Sequence, residues 1–154
     1  MDKNLLTLID TAIQREEDAY AFYMAILDRI SDAGVRDTLQ WIAGEEQKHK
    51  AFLVRYRKGD FGAGGLRLSD VAYYKIAEHQ SEPEVKEDMH SADVYLVAAH
   101  RELRSHRFYT ALADQHAAGD AKEMLLKMAN EELKHKEKME YLYANTAFPQ
   151  TSGG

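Results

Sequence analysis

Apolar residues recur at three- and four-residue steps through four long stretches of the chain, which is the period of an amphipathic helix. The first stretch runs from about Asn4 to Ile30, with Leu5, Ile9, Ala12, Ile13, Tyr20, Tyr23 and Leu27 on the repeating face. It stops at Ser31-Asp32-Ala33-Gly34. Asp32 is a candidate N-cap for a second helix, which continues through Leu39, Ile42, Phe52, Leu53 and Tyr56 to about Lys58. The third covers roughly Ser91–Gln115. The fourth starts after Gly119, where Asp120 and Glu123 give a D-x-x-E start signal, and reaches about Tyr143.

The intervals between these helices differ in kind. Short turns join the first helix to the second and the third to the fourth, so each pair is expected to fold back as an antiparallel hairpin. Residues 59–90 separate the hairpins and read as a crossover with one short helix near Ser69–His79, broken around Pro83. The glycine-rich run at 59–65 lacks the G-K-[ST] ending of a phosphate loop and reads as a loose exit from the second helix. The expected fold is therefore all-α. It is a ferritin-like antiparallel four-helix bundle of two hairpins joined by a long crossover, spanning residues 1–145, with a flexible tail at 146–154.

One five-residue word appears twice, as Glu45-Glu46-Gln47-Lys48-His49 and as Glu131-Glu132-Leu133-Lys134-His135. The repetition extends further. Glu16 precedes Ala19 and Phe22-Tyr23 in the first helix, and Glu102 precedes Ser105 and Phe108-Tyr109 in the third. Glu46 follows Glu16 by 30 residues, and Glu132 follows Glu102 by the same 30. Height along a hairpin is set by distance from its turn, because a helix rises about 1.5 Å per residue. The midpoints fall near Ser31–Asp32 and near Ala117–Ala118, at the two expected turns. Each lone glutamate thus lies level with an E-x-x-H pair, whose members share a helix face at i and i+3.

A single E-x-x-H on a charged helix is ordinarily a solvated face, and a Phe-Tyr pair is ordinarily core. The conjunction of two lone glutamates, two E-x-x-H pairs and equal spacings points instead to a metal site. Its candidate ligands are Glu16, Glu46, His49, Glu102, Glu132 and His135. Four carboxylates and two imidazoles brought together need compensating charge, because like charges and desolvation both penalise the ionised forms. Two divalent cations balance four carboxylates, and this donor set suits iron, manganese or zinc.

Composition removes other classes. The net charge of −6 argues against a nucleic-acid binder, and no apolar run is long enough for a membrane span. The sequence has no cysteine, so thiolate metal sites and thiol redox chemistry are absent from it. The opening Met1–Asp10 has neither the basic stretch nor the apolar core of a secretory signal, and a cytoplasmic location is expected.

At these motifs the chain resembles the rubrerythrin group of ferritin-like proteins, over roughly residues 5–143. The resemblance implies Glu16 and Glu102 as lone helix ligands and Glu46, His49, Glu132 and His135 as paired ones, around two iron ions. It implies a non-haem di-iron oxidoreductase that reduces hydrogen peroxide or dioxygen with electrons from an external donor, since no cysteine-rich rubredoxin module is present. It also implies a homodimer. Tyr23 and Tyr109, two turns beyond the lone glutamates, match a tyrosine position near the metal site in that family. Efficient peroxide-reducing members usually carry a glutamate where Ser105 stands here. His106, one turn from Glu102, is the nearby candidate to relay protons with the two tyrosines. Two further readings stay open: a ferritin-like ferroxidase that handles iron, and a bundle that a metal only stabilises. His79, His90, His100 and His116 have no ligand spacing and are expected in surface or connector roles.

Overall fold

The computed structural model describes residues 3–59, 76–79, 81–85 and 89–147. Four long helices carry the chain: α1 (Lys3–Leu27), α2 (Ala33–Arg57), α4 (Ser91–Asp114) and α5 (Asp120–Ala147). A single turn, α3 (Ile76–His79), lies between α2 and α4 in sequence. The described residues contain no strand, so the all-α expectation holds. The glycine-rich run at 60–65, the first part of the expected short helix at 69–75 and the tail beyond 147 lie outside the described residues. The chain divides into two compact units, Met1–Gly65 and Leu66–Gly154.

In the first unit α1 packs on α2. Ile9, Ala12, Tyr23, Ile26 and Leu27 of α1 are buried, as are Val35, Leu39, Ile42, Ala43, Leu53 and Tyr56 of α2. These are the three- and four-residue steps of the sequence pattern, and they place one apolar stripe on each helix. The turn is held chemically. The Asp32 carboxylate accepts from the Val35 N–H at 3.0 Å, as the N-cap expectation required. Arg36 reaches back across the turn and donates to the Leu27 and Ile30 carbonyls at 2.6 and 2.9 Å. A cation thus satisfies acceptors that the end of α1 leaves without intrahelical partners. At the far end, Arg57 closes on Asp10 at 2.6 Å, which pairs the end of α2 with the beginning of α1 and so makes the hairpin antiparallel. The Arg57 hydrogen bond holds the Asp10 carboxyl below its usual range. Gly59, with φ at 84°, takes the left-handed conformation that terminates α2.

The second unit repeats the plan with different parts. α4 packs on α5, and α3 packs on α4. His116, expected in a surface or connector role, does for α4 what Arg36 does for α1: its Nδ1–H donates to the Leu112 carbonyl at 2.7 Å. The fourth helix begins at Asp120, directly after Gly119, as its start signal implies. The Glu123 N–H bonds the Gly119 carbonyl at 3.1 Å, so Gly119, with φ at 152°, holds the cap position. Asp120 and Glu123 both fall in the first turn, where negative charge favours the positive end of the helix dipole. At its other end α5 runs past Tyr143 to Ala147.

Six consecutive residues of α4, Val94 to Ala99, are buried. At about 3.6 residues per turn a run of six covers every face, so α4 is enclosed all round at that level. The connector also packs against this unit. Glu82 accepts two hydrogen bonds from Arg104 on α4, at 2.6 and 3.1 Å. Glu78 on α3 lies 2.9 Å from Lys136 Nζ on α5.

Two expectations follow. Asp32→Ala should cost about 1 kcal/mol of unfolding free energy in urea denaturation, because it orphans the first N–H groups of α2. The second concerns acid. Arg104 lowers the Glu82 carboxyl below its ordinary value of 4.5. For Glu78, burial pushes upward, but the hydrogen bond and charge of Lys136 prevail and the net direction is also down. A carboxyl whose folded pKa is depressed stabilises the fold above its unfolded value, and that contribution is lost as pH falls through the folded value. NMR titration of the two side chains should therefore give midpoints below 4.5.

Candidate metal centre

Each hairpin carries charged residues on the stripe that should be apolar. In the first unit Glu16, Glu46 and His49 occupy core-facing positions of α1 and α2, and all three are buried. In the second unit Glu102, Glu132 and His135 do the same on α4 and α5. Asp and Glu are almost never fully buried unless something pairs them. Here the same anomaly occurs twice, at equivalent positions.

The level argument from the sequence holds inside each hairpin. His49 Nδ1 stands 3.6 Å from Glu16 Oε1. His135 Nδ1 stands 3.6 Å from Glu102 Oε2. Within the first triad, Glu16, Glu46 and His49 each offer one ligand atom, and these atoms lie within 4.8 Å of one another. The same holds for Glu102, Glu132 and His135. Metal–ligand bonds to imidazole nitrogen and carboxylate oxygen are about 2.0–2.2 Å, so two donors on one ion sit roughly 3–3.5 Å apart. The observed separations are close to that value. Two carboxylates and one imidazole per triad also carry the charge that one divalent cation neutralises, and they are donors that iron, manganese and zinc accept. By geometry, burial and donor type, each triad fits a metal ion.

The two tyrosines lie where the repeat puts them. Tyr23 and Tyr109 are buried, and each ring meets its neighbouring phenylalanine edge-on, with centroids 5.7 Å apart at Phe22 and 5.3 Å at Phe108. Each stands seven residues beyond its lone glutamate, on the same helix face. Side chains on a helix tilt toward its N-terminus, so each ring leans back toward the glutamate's level. His106 is half-buried, and its Nδ1–H donates to the Ala129 carbonyl of α5 at 2.8 Å. That bond fixes the ring and leaves Nε2 as the nitrogen open to other chemistry. His106 belongs to neither triad. Ser105, the position of the missing carboxylate, is half-buried on α4.

The five-residue word contains a second pairing that its role in ligation does not reveal. Glu45 and Lys48 lie 3.4 Å apart, and Glu131 and Lys134 lie 3.0 Å apart. Both are i,i+3 pairs on the face beside the ligands. First and fourth letters thus form an ion pair while second and fifth belong to the buried triad, and the i,i+3 spacing already encoded both. A cluster of Lys136, Glu140 and Glu78 in the second unit has no forecast in the word at all.

Helical hairpins with a lone glutamate opposite a Glu-x-x-His pair define the di-metal carboxylate class of ferritin-like four-helix bundles. The rubrerythrin family model matches residues 1–59 and 93–150. The chain belongs to the rubrerythrin family, and its fold is the all-α, ferritin-like bundle of that family. No curated protein and no solved structure gives a significant match to the chain. Among the described residues, no helix is long and apolar enough to cross a membrane.

If the triads exist to hold cations, the metal-free chain carries uncompensated repulsion. Glu46→Gln should then raise the stability of the metal-free protein by about 1–2 kcal/mol in urea denaturation with chelator present. The same variant should weaken divalent-metal binding in a titration. Loss of stability under both conditions would mean that Glu46 is an ordinary structural residue.

Proposed function

We propose that the protein is a non-haem di-iron oxidoreductase that reduces hydrogen peroxide or dioxygen with electrons from a separate donor. The observation that carries this reading is the recurrence of one Glu, Glu, His set, at one 3.6 Å spacing, in both hairpins of a rubrerythrin-family chain. Glu16, Glu46 and His49 would hold one ion, and Glu102, Glu132 and His135 the other. Bound as ferrous iron, such a pair would supply two electrons, which with two protons suffice to convert one hydrogen peroxide into two waters.

The chain's own residues do the rest. The buried carboxylates set the net charge of each site and the orientation of its ligands. Burial excludes bulk water, which strengthens every charge interaction inside. Protons must be delivered to the departing oxygens, and the buried phenols of Tyr23 and Tyr109 are O–H donors on the faces that carry Glu16 and Glu102. His106, held by Ala129, offers Nε2 as a proton-exchanging group four residues from Glu102. In this reading the electrons come from an external donor.

Stopped-flow mixing of anaerobically iron-loaded protein with hydrogen peroxide tests the reading. The expected result is rapid oxidation of two irons per chain and repeated turnover once an artificial electron donor is added. Ferrous oxidation accompanied by retention of many irons per chain would favour iron handling instead. A protein indifferent to peroxide would leave the metal a structural role. Glu132→Ala should lose at least one ion by elemental analysis, and near-stoichiometric loading in that variant would refute the role given to Glu132.

A further inference from the structure

The hairpins are copies offset by 86 residues, so each position in one has a counterpart in the other. A lysine follows the ligand histidine in both copies, Lys50 and Lys136. Their settings differ. Lys50 pairs with Glu17 at 3.0 Å with both side chains substantially exposed. Lys136 is buried, with Nζ 2.9 Å from Glu140 Oε1 and 2.9 Å from Glu78 Oε1. Glu140 is 0% exposed, and its second oxygen accepts the Ala77 backbone N–H at 2.8 Å. One carboxylate therefore joins α5 to the backbone of α3.

The copies differ at many positions, and some of those differences fall at these contacts. Glu140 stands where the first hairpin has Val54, Leu103 where it has Glu17, and Arg104 where it has Asp18. Arg104 is the residue that holds Glu82. The residues that fasten the described connector, 76–79 and 81–85, to the second hairpin thus include two, Glu140 and Arg104, that the first hairpin lacks. Packing does not account for the choice of an ion pair, since a buried pair of this kind is commonly no more stable than apolar residues of the same volume. What an ion pair gives is a fixed register.

We infer that Lys136 and Glu140 are positioning residues for the metal position of the second hairpin. Lys136 adjoins His135 and lies one turn beyond Glu132, while Arg104 lies two residues beyond Glu102. The connector is tied at α5 by Glu140 and Glu78 and at α4 by Glu82. It straps together the two helices that supply the triad and holds α5 in the rotation that aims Glu132 and His135 at Glu102. This inference rests on the metal reading given above.

The test uses the full chain with cobalt(II) as the probe. The double variant Lys136→Met, Glu140→Leu removes the ion pair while keeping the interior apolar. Loss of the ion pair itself should cost little, and the orphaned Ala77 N–H should make the net loss of global stability modest. Hydrogen exchange of the Ala77 amide in the metal-free protein should rise by about tenfold or more. One of two bound cobalt ions should transfer to a chelator about tenfold faster, with altered visible bands, while the other is unchanged. Glu82→Gln should act in the same direction more weakly, and it carries the test if the double variant does not fold. Glu17→Gln, which breaks the counterpart pair, should leave Ala77 exchange unchanged. Wild-type Ala77 exchange in the double variant overturns the strap. Faster exchange with both cobalt ions and their bands unchanged overturns the positioning role. A wild-type chain that binds no cobalt while Ala77 stays protected overturns the metal reading, and the positioning role with it.

Discussion

Ionisable side chains on a buried helix stripe are the constraint around which each hairpin is organised. Glu16, Glu46 and His49 take positions that the periodicity of α1 and α2 reserves for apolar residues, and Glu102, Glu132 and His135 do so on α4 and α5. Desolvating each carboxylate costs several kcal/mol, and a neighbouring carboxylate adds repulsion. A fold keeps such groups ionised at least cost when something of opposite charge compensates them. A divalent cation per triad is the compensation that the donor chemistry admits.

That constraint explains where the rest of the stability lies. The ends of the first hairpin are clasped, by Asp32 and Arg36 at the turn and by Arg57 with Asp10 at the opening. These contacts fix how far α1 slides along α2, and so keep Glu16 level with His49. In the second hairpin His116 secures the turn, and the connector contacts Arg104 of α4 and Lys136 of α5, close in sequence to Glu102, Glu132 and His135. Buried aliphatic layers, such as Leu39 with Ile42 and Leu125 with Met128, supply the apolar burial that lets the polar triads persist.

Much of this was legible because helices convert sequence spacing into geometry. The steps of three and four located all four helices, and the Asp32 cap and the turn near Ala117–Ala118 came from local chemistry. Equal spacings of 30 residues placed each lone glutamate level with its E-x-x-H partner. The start of α5 after Gly119 was legible too, but its cap was not, because Gly119 caps the helix with no side chain to announce it. Arg36, His116 and the Lys136 cluster were hidden for a different reason. Arg36 bonds carbonyls across the turn and Lys136 bonds Glu78 of another helix, contacts that the fold brings within reach, while His116 bonds the Leu112 carbonyl of its own helix, a contact no side-chain pattern records. Glu140 alone left a trace: an acid on the core stripe of α5 where the other copy carries Val54.

Iron content after anaerobic ferrous loading and desalting tests the central claim most directly. The wild-type chain should retain two irons, and chains lacking His49 or His135 should retain fewer. A wild-type chain that retains none, or one whose iron content survives loss of both histidines, would contradict the account.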